Sequence, residues 1–195
     1  MKHTRLHSLI CGFCSMTMFS TAAAVDYPLS CGYMPRSDKK NPEPELSAFE
    51  SCAKQVGESD FEIAPAHLQK IDFGPQGLAV IYLQKMVFYI RRDGKLGRTH
   101  FFDNGADGFS SGLVRTIRHG KFGFMDTQLQ TVIPARYDFA FPFAGAYAKV
   151  CLGCRIERHG EHGLVVGGKW GYIDRQGKAV VSITYSKAQL PPPGE

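Results

Sequence analysis

The apolar residues of this chain fall into short runs separated by turn residues. Leu113 to Ile117 and Phe122 to Met125 are rich in branched and aromatic side chains, and His119-Gly120 separates them. Runs of this length around such a break predict two strands joined by a tight turn. Asp174-Arg175-Gln176-Gly177 reads as a further turn, and Ala179 to Ile183 as the strand that follows it. Pro44 to Val56 has a different rhythm. Leu46, Phe49, Ala53 and Val56 recur at helical spacing, with Glu45, Glu50 and Lys54 elsewhere on the surface. This predicts one short N-terminal helix that caps an end of the sheet, or else docks a partner.

The strand pattern is written more than once. Lys121 set against Lys169 aligns Phe122 with Trp170, Gly123 with Gly171, Asp126 with Asp174 and Tyr137 with Tyr185, without a gap. A more eroded copy starts at Gly77, aligned with Gly112, in which Val87-Phe88 replaces the aromatic-Gly pair. Pro65 to Ile71 resembles Pro134 to Ala140 and suggests a partial fourth copy. The reading is a mainly β protein: about three and a half β-hairpin repeats with atypical terminal units, preceded by the short helix. Gly123 and Gly171, inside strand-like runs, mark a bulge or close backbone approach. The large aromatic beside each supplies buried area, and Asp126 and Asp174 serve turns.

These residues carry a resemblance. KWGYIDRQGK (169–178), with FAGAYAKV (143–150) ahead of it and Val180-Val181 and Tyr185 behind, resembles the WG-repeat (KWG) family. Ser182 stands where that pattern has Pro, and Phe122 where it has Trp. The resemblance implies β-rich repeats found often in bacterial proteins, and it implies no catalytic residues.

The start of the chain has another character. Lys2 and Arg5 precede an uncharged, mostly apolar stretch, Leu9 to Phe19, and then Ala22-Ala23-Ala24. That is the layout of a secretory signal peptide over residues 1–24, with an apolar run about half of the ~20 residues a membrane span needs. The expectation is a periplasmic or secreted bacterial protein with no membrane anchor after cleavage. The remaining divisions are an N-terminal segment (25–60), the repeat domain (61–188) and a Pro-rich disordered tail (189–195). Losing Lys2 and Arg5 lowers the net charge from +5 to +3, and the other cations are scattered. Nucleic acid is therefore not an expected partner.

Beyond the signal segment the cysteines are Cys31, Cys52, Cys151 and Cys154. An even count in an exported chain predicts disulfides, and proximity in sequence favours Cys31–Cys52 and Cys151–Cys154.

Relative to its sibling, the last repeat carries an insert from about Cys151 to Val165. Insertions in repeat arrays often carry function. Arg158, His159, Glu161 and His162 form a candidate charged recognition loop. Cys151, Cys154, His159 and His162 form an alternative zinc site, although an oxidising compartment favours the disulfide. No nucleophile-base arrangement or phosphate-cradling loop is evident. The reading that follows is a non-enzymatic exported binding module for an unknown protein or cell-envelope ligand, inhibitor- or immunity-type proteins being one version. The alternative is a metal-dependent function, zinc binding or a hydrolase, at the insert.

Overall fold

A computed structural model describes the backbone of residues 26–159 and 162–194, and the side chains of 26–158 and 163–194. The proposed signal peptide lies outside the described residues, whose regular secondary structure is almost wholly antiparallel strand. In chain order they are β1 (Leu29–Tyr33), β2 (Ser47–Gln55), β3 (Phe61–Ile63), β4 (Leu78–Leu83), β5 (Met86–Arg91), β6 (Leu96–Thr99), β7 (Phe101–Phe102), β8 (Gly105–Ala106), β9 (Leu113–Arg118), β10 (Lys121–Asp126), β11 (Thr131–Tyr137), β12 (Phe139–Ala140), β13 (Ala148–His159), β14 (His162–Ile173) and β15 (Ala179–Tyr185). One helical turn, α1 (Pro65–Leu68), follows β3. The larger sheet has the order β11-β10-β9-β6-β5-β4-β1-β2-β3, the second has β12-β13-β14-β15, and β7-β8 is a small hairpin.

Three meanders repeat along the chain: β4–β6, β9–β11 and β13–β15. The last two match residue for residue. Phe122 pairs with Tyr137, Phe124 with Ile133 and Met125 with Thr131. Forty-eight positions on, Trp170 pairs with Tyr185, Tyr172 with Val181 and Ile173 with Ala179. In both, two steps along one strand face four along the other, which is a bulge. The glycine between the aromatics allows it. A Cβ on Gly171 would stand 2.5 Å from the Val181 carbonyl oxygen and 2.8 Å from the Ile183 Cα. Gly123 is pressed in the same way against the backbone of Ile133 and Ala135. In the eroded copy Phe88 takes this place, and β5 and β6 pair without a slip, Val87 with Thr99 through Ile90 with Leu96. Losing the glycine and losing the bulge go together.

The turns also repeat. Asp126 Oδ1 accepts from the N–H groups of Gln128 and Gln130. Asp174 Oδ1 accepts from those of Gln176 and Lys178. Their carboxylates are committed to the backbone, as the sequence suggested.

Two expectations are corrected. Residues 44–56 form no helix: Ser47–Gln55 is strand β2. Its pairing with β1 slips between Leu29↔Ala53 and Cys31↔Phe49, and Ser51 there has φ 52°. Leu46 and Val56, which complete the helical spacing, lie just outside the strand and are exposed, so the four apolar residues do not make one buried face. Among the described residues the helix is α1, and it disposes of the partial fourth copy. Pro65–Leu68 is helical, whereas the aligned Pro134–Tyr137 is strand. β1 lies between β2 and β4, so the N-terminal segment is part of the repeat sheet.

Between β1 and β5 the core holds Tyr33, Cys52, Phe61, Ile71, Ile81 and Phe88, all buried. A second core joins the two sheets through Phe124, Ile133, Tyr137, Phe143, Val150 and Ile173. Arg115 of β9 is buried beside it. Its Nε and Nη2 donate to the two oxygens of Asp107 at 2.7 and 2.8 Å, and Nη1 donates to the Ala140 carbonyl at 3.0 Å. This side chain links the segment after β8 to both sheets, and its guanidinium lies over the Phe102 ring.

Candidate functional site

The insert is not a loop. It extends β13 and β14 into one long hairpin, paired from Ala148↔Ile173 to His159↔His162. Neighbouring strands cover only its base. β12 pairs with β13 at Cys151 and Val150, and β15 pairs with β14 no further out than Trp170. Residues 152–159 and 162–169 therefore form a two-stranded arm with no ladder to a third strand, touched from outside by Asp138 at the Gly153 N–H and by the Lys187 ammonium at the Val165 carbonyl. Of the proposed recognition residues, Arg158 is an exposed strand residue. His159 and His162 are the outermost backbone pair; their side chains, and Glu161, lie outside the described residues.

The base of the arm is firmly held. Cys151 and Cys154 are joined as a disulfide with Cα atoms 6.1 Å apart, as Cys31 and Cys52 are at 5.7 Å. Trp170 is completely buried against the Cys151–Cys154 pair and donates its Nε1–H to the Gly167 carbonyl at 2.9 Å. Gly168 passes directly beneath: a Cβ there would stand 2.5 Å from the Cys154 nitrogen and 2.6 Å from Cys151 Sγ. The Gly153 N–H donates to Asp138 Oδ2 at 2.6 Å, and Asp138 Oδ1 accepts from the Lys121 ammonium. These contacts hold the Asp138 carboxyl below its ordinary range, Lys121 contributing most. Lys121, the first residue of β10 in the second repeat, thus anchors the arm of the third, a role the spacing alone did not reveal.

The two repeat aromatics are alike in burial and cross-strand partner but differ in what covers them. Phe122 lies 5.3 Å from Phe139, seventeen positions on. The residue seventeen positions after Trp170 is Lys187, whose ammonium lies 5.3 Å from the indole centroid. No further repeat strand follows β15 among the described residues, and the lysine takes the place of the aromatic. Tyr137 is buried whereas its counterpart Tyr185 is exposed at the sheet edge. Residues 189–194 form neither helix nor strand, but Leu190 within this tail packs against the Trp170 cluster.

This arrangement argues against the zinc alternative. The two cysteine sulfurs are bonded to each other. His159 lies five strand residues beyond Cys154, about 16 Å at the rise of an extended chain, whereas tetrahedral ligands all sit within about 2.3 Å of one ion. The arm exposes apolar side chains along its length. Ile156 is 52% and Leu164 53% exposed, with Leu152 at 40%. Arg155 pairs with Glu157.

The molecule is thus an array of β-hairpin repeats with an arm grown from the last one. The model of the WG-containing repeat family matches residues 122–153 and 170–190, parts of the second and third meanders. The match breaks between 153 and 170, where the arm stands, so the arm is an addition to the repeat. No curated protein matches the chain, and no solved structure does.

Proposed function

We propose that this protein is a non-enzymatic binding module, exported to the periplasm or beyond the cell, and that the β13–β14 arm is its recognition element. The observation that carries this reading is the exposure of Ile156 and Leu164 on a ribbon with no neighbouring strand. A free two-stranded hairpin is at best marginally stable in water, so its persistence needs the stapled base. Apolar side chains on an unpaired strand edge suit docking to another protein. The leader-like residues 1–24 and the two disulfides support export. The partner is a protein of the cell envelope or its surroundings, and an inhibitor or immunity role is one form this takes.

The test replaces residues 155–166 by Asn-Gly, which closes the hairpin just beyond Cys154 and Gly167 and leaves the disulfide intact. Affinity capture from envelope extracts, with parent and shortened chains compared by quantitative mass spectrometry, should show specific partners lost on shortening while melting is little changed. Retention of every specific partner overturns the assignment to the arm.

A further inference from the structure

A cleft lies in the other sheet, where two repeats meet. β6 is bonded along its length to β5 but to β9 at a single pair, Thr99↔Thr116. Hydroxyl groups fasten that junction: Thr99 Oγ1 donates to the Arg115 carbonyl at 2.9 Å and Thr116 Oγ1 to the Arg98 carbonyl at 2.6 Å. Past it the strands part. Met125 and Leu129 of the second repeat wedge against Gly97, where a Cβ would stand 2.6 Å from Met125 Sδ. The result is a cleft of about 750 Å³ with Leu96 to Arg98 on one wall and Ile117 and Arg118 on the other. That volume is typical of a ligand site. Its walls are strand edges with no strand between them, the geometry into which an extended chain adds.

The charge of the cleft narrows the occupant. Lys95, Arg98 and Arg118 line it, against one carboxylate, Asp60. Arg98 has no ion-pair partner among the described residues. The Lys95 ammonium donates to a carbonyl, that of Gln128. Arg118 reaches Asp60 at 3.8 Å with both side chains more than 60% exposed, and such a pair is worth little and is easily exchanged. Phe88, Leu96 and Met125 provide an apolar floor for alternate side chains.

We propose that this cleft receives an extended acidic segment of a protein partner, which adds as a strand along β6 and sets its carboxylates against Arg98, Arg118 and Lys95. The site is separate from the arm and does not depend on it.

The experiment is fluorescence polarisation with a labelled peptide alternating Glu and Val, titrated with the disulfide-intact chain. Parallel titrations use a Lys-for-Glu peptide and a Glu/Val peptide with prolines at alternate positions. The Glu/Val peptide should bind saturably, and Arg98→Glu should weaken it about tenfold, as should added salt. The proline peptide should also lose about tenfold, since it cannot complete a ladder. Arg118→Glu, at an exposed position, is the second variant should Arg98→Glu fail to fold. The chain with the shortened arm should bind as the parent does, so failure of the cleft and failure of the arm give different results. Absence of saturable binding overturns the proposal. So does equal binding of the Lys peptide, an unchanged affinity in Arg118→Glu, or equal binding of the proline peptide. Preference for a sulfated polysaccharide over every peptide also overturns it, since charge alone then suffices.

Discussion

Gly171 faces the Val181 carbonyl so closely that a Cβ would stand 2.5 Å from it, and the atoms it would meet are mostly backbone. The repeat bulge therefore has no room for a side chain. Gly171→Ala and Gly123→Ala should each destabilise the fold by about 1–3 kcal/mol, the usual range for overpacking. Gly108→Ala, where nothing lies within 4 Å of the added Cβ and φ is not positive, should be near neutral. Urea unfolding of the three variants checks this.

The same glycine explains what could be read from the chain. An aromatic, a glycine and a turn aspartate are local devices, so Phe122, Gly123 and Asp126 announced the hairpin and its recurrence at Trp170, Gly171 and Asp174. Strand β2 was misread because its bulge at Ser51 breaks the alternation that identifies a strand. The insert, read as about Cys151 to Val165, overlaps the arm at 152–169, but its form was not legible: two strands that pair only with each other leave little periodicity to recognise. Arg115 and Asp107 were invisible because nothing in a linear chain distinguishes a buried arginine from a surface one. The Lys121–Asp138 anchor likewise depends on two repeats meeting in space.

The Arg115–Asp107 pair is 1% and 4% exposed. Removing one partner leaves the other charge buried and uncompensated, typically a loss of about 3–5 kcal/mol. Asp107→Asn and Arg115→Met should each show a loss of this order in urea titrations. The double variant should be less destabilised than the sum of the two, because the charges disappear together.

Stability should fall on mild acidification. Burial, and next the Arg115 charge, lower the pKa of His100, although Asp107 opposes them. Burial likewise lowers that of His67, whose Nδ1 lies 2.9 Å from the Tyr33 hydroxyl. A histidine with a folded pKa below its unfolded value near 6.5 takes up its proton more readily in the unfolded chain. Its contribution is complete above about pH 6.5 and is lost as pH falls through that value toward the folded one. Asp138, also lowered, adds a loss in the same direction at lower pH, below about 3.8. Urea midpoints at neutral pH and near pH 5 should differ less in His100→Gln than in the parent.

The disulfides should contribute unequally. Cys31–Cys52 spans 21 residues and constrains the unfolded chain by about 3 kcal/mol. Cys151–Cys154 spans three and closes too small a loop to do the same. Cys52→Ser should therefore lower the melting temperature far more than Cys154→Ser. The latter should instead increase hydrogen exchange in residues 152–158, where the staple shapes the base of the arm.

The most direct test of the binding assignment is site-specific photo-crosslinking from the arm. A photoreactive residue is placed at Ile156, at Leu164 or, as a comparison, at Val180, which is 43% exposed on the edge strand β15. Illumination of exporting cells should give the same discrete adduct from positions 156 and 164, and none from 180. Equal adducts from all three positions, or adducts from 180 alone, would contradict a partner docked on the β13–β14 arm.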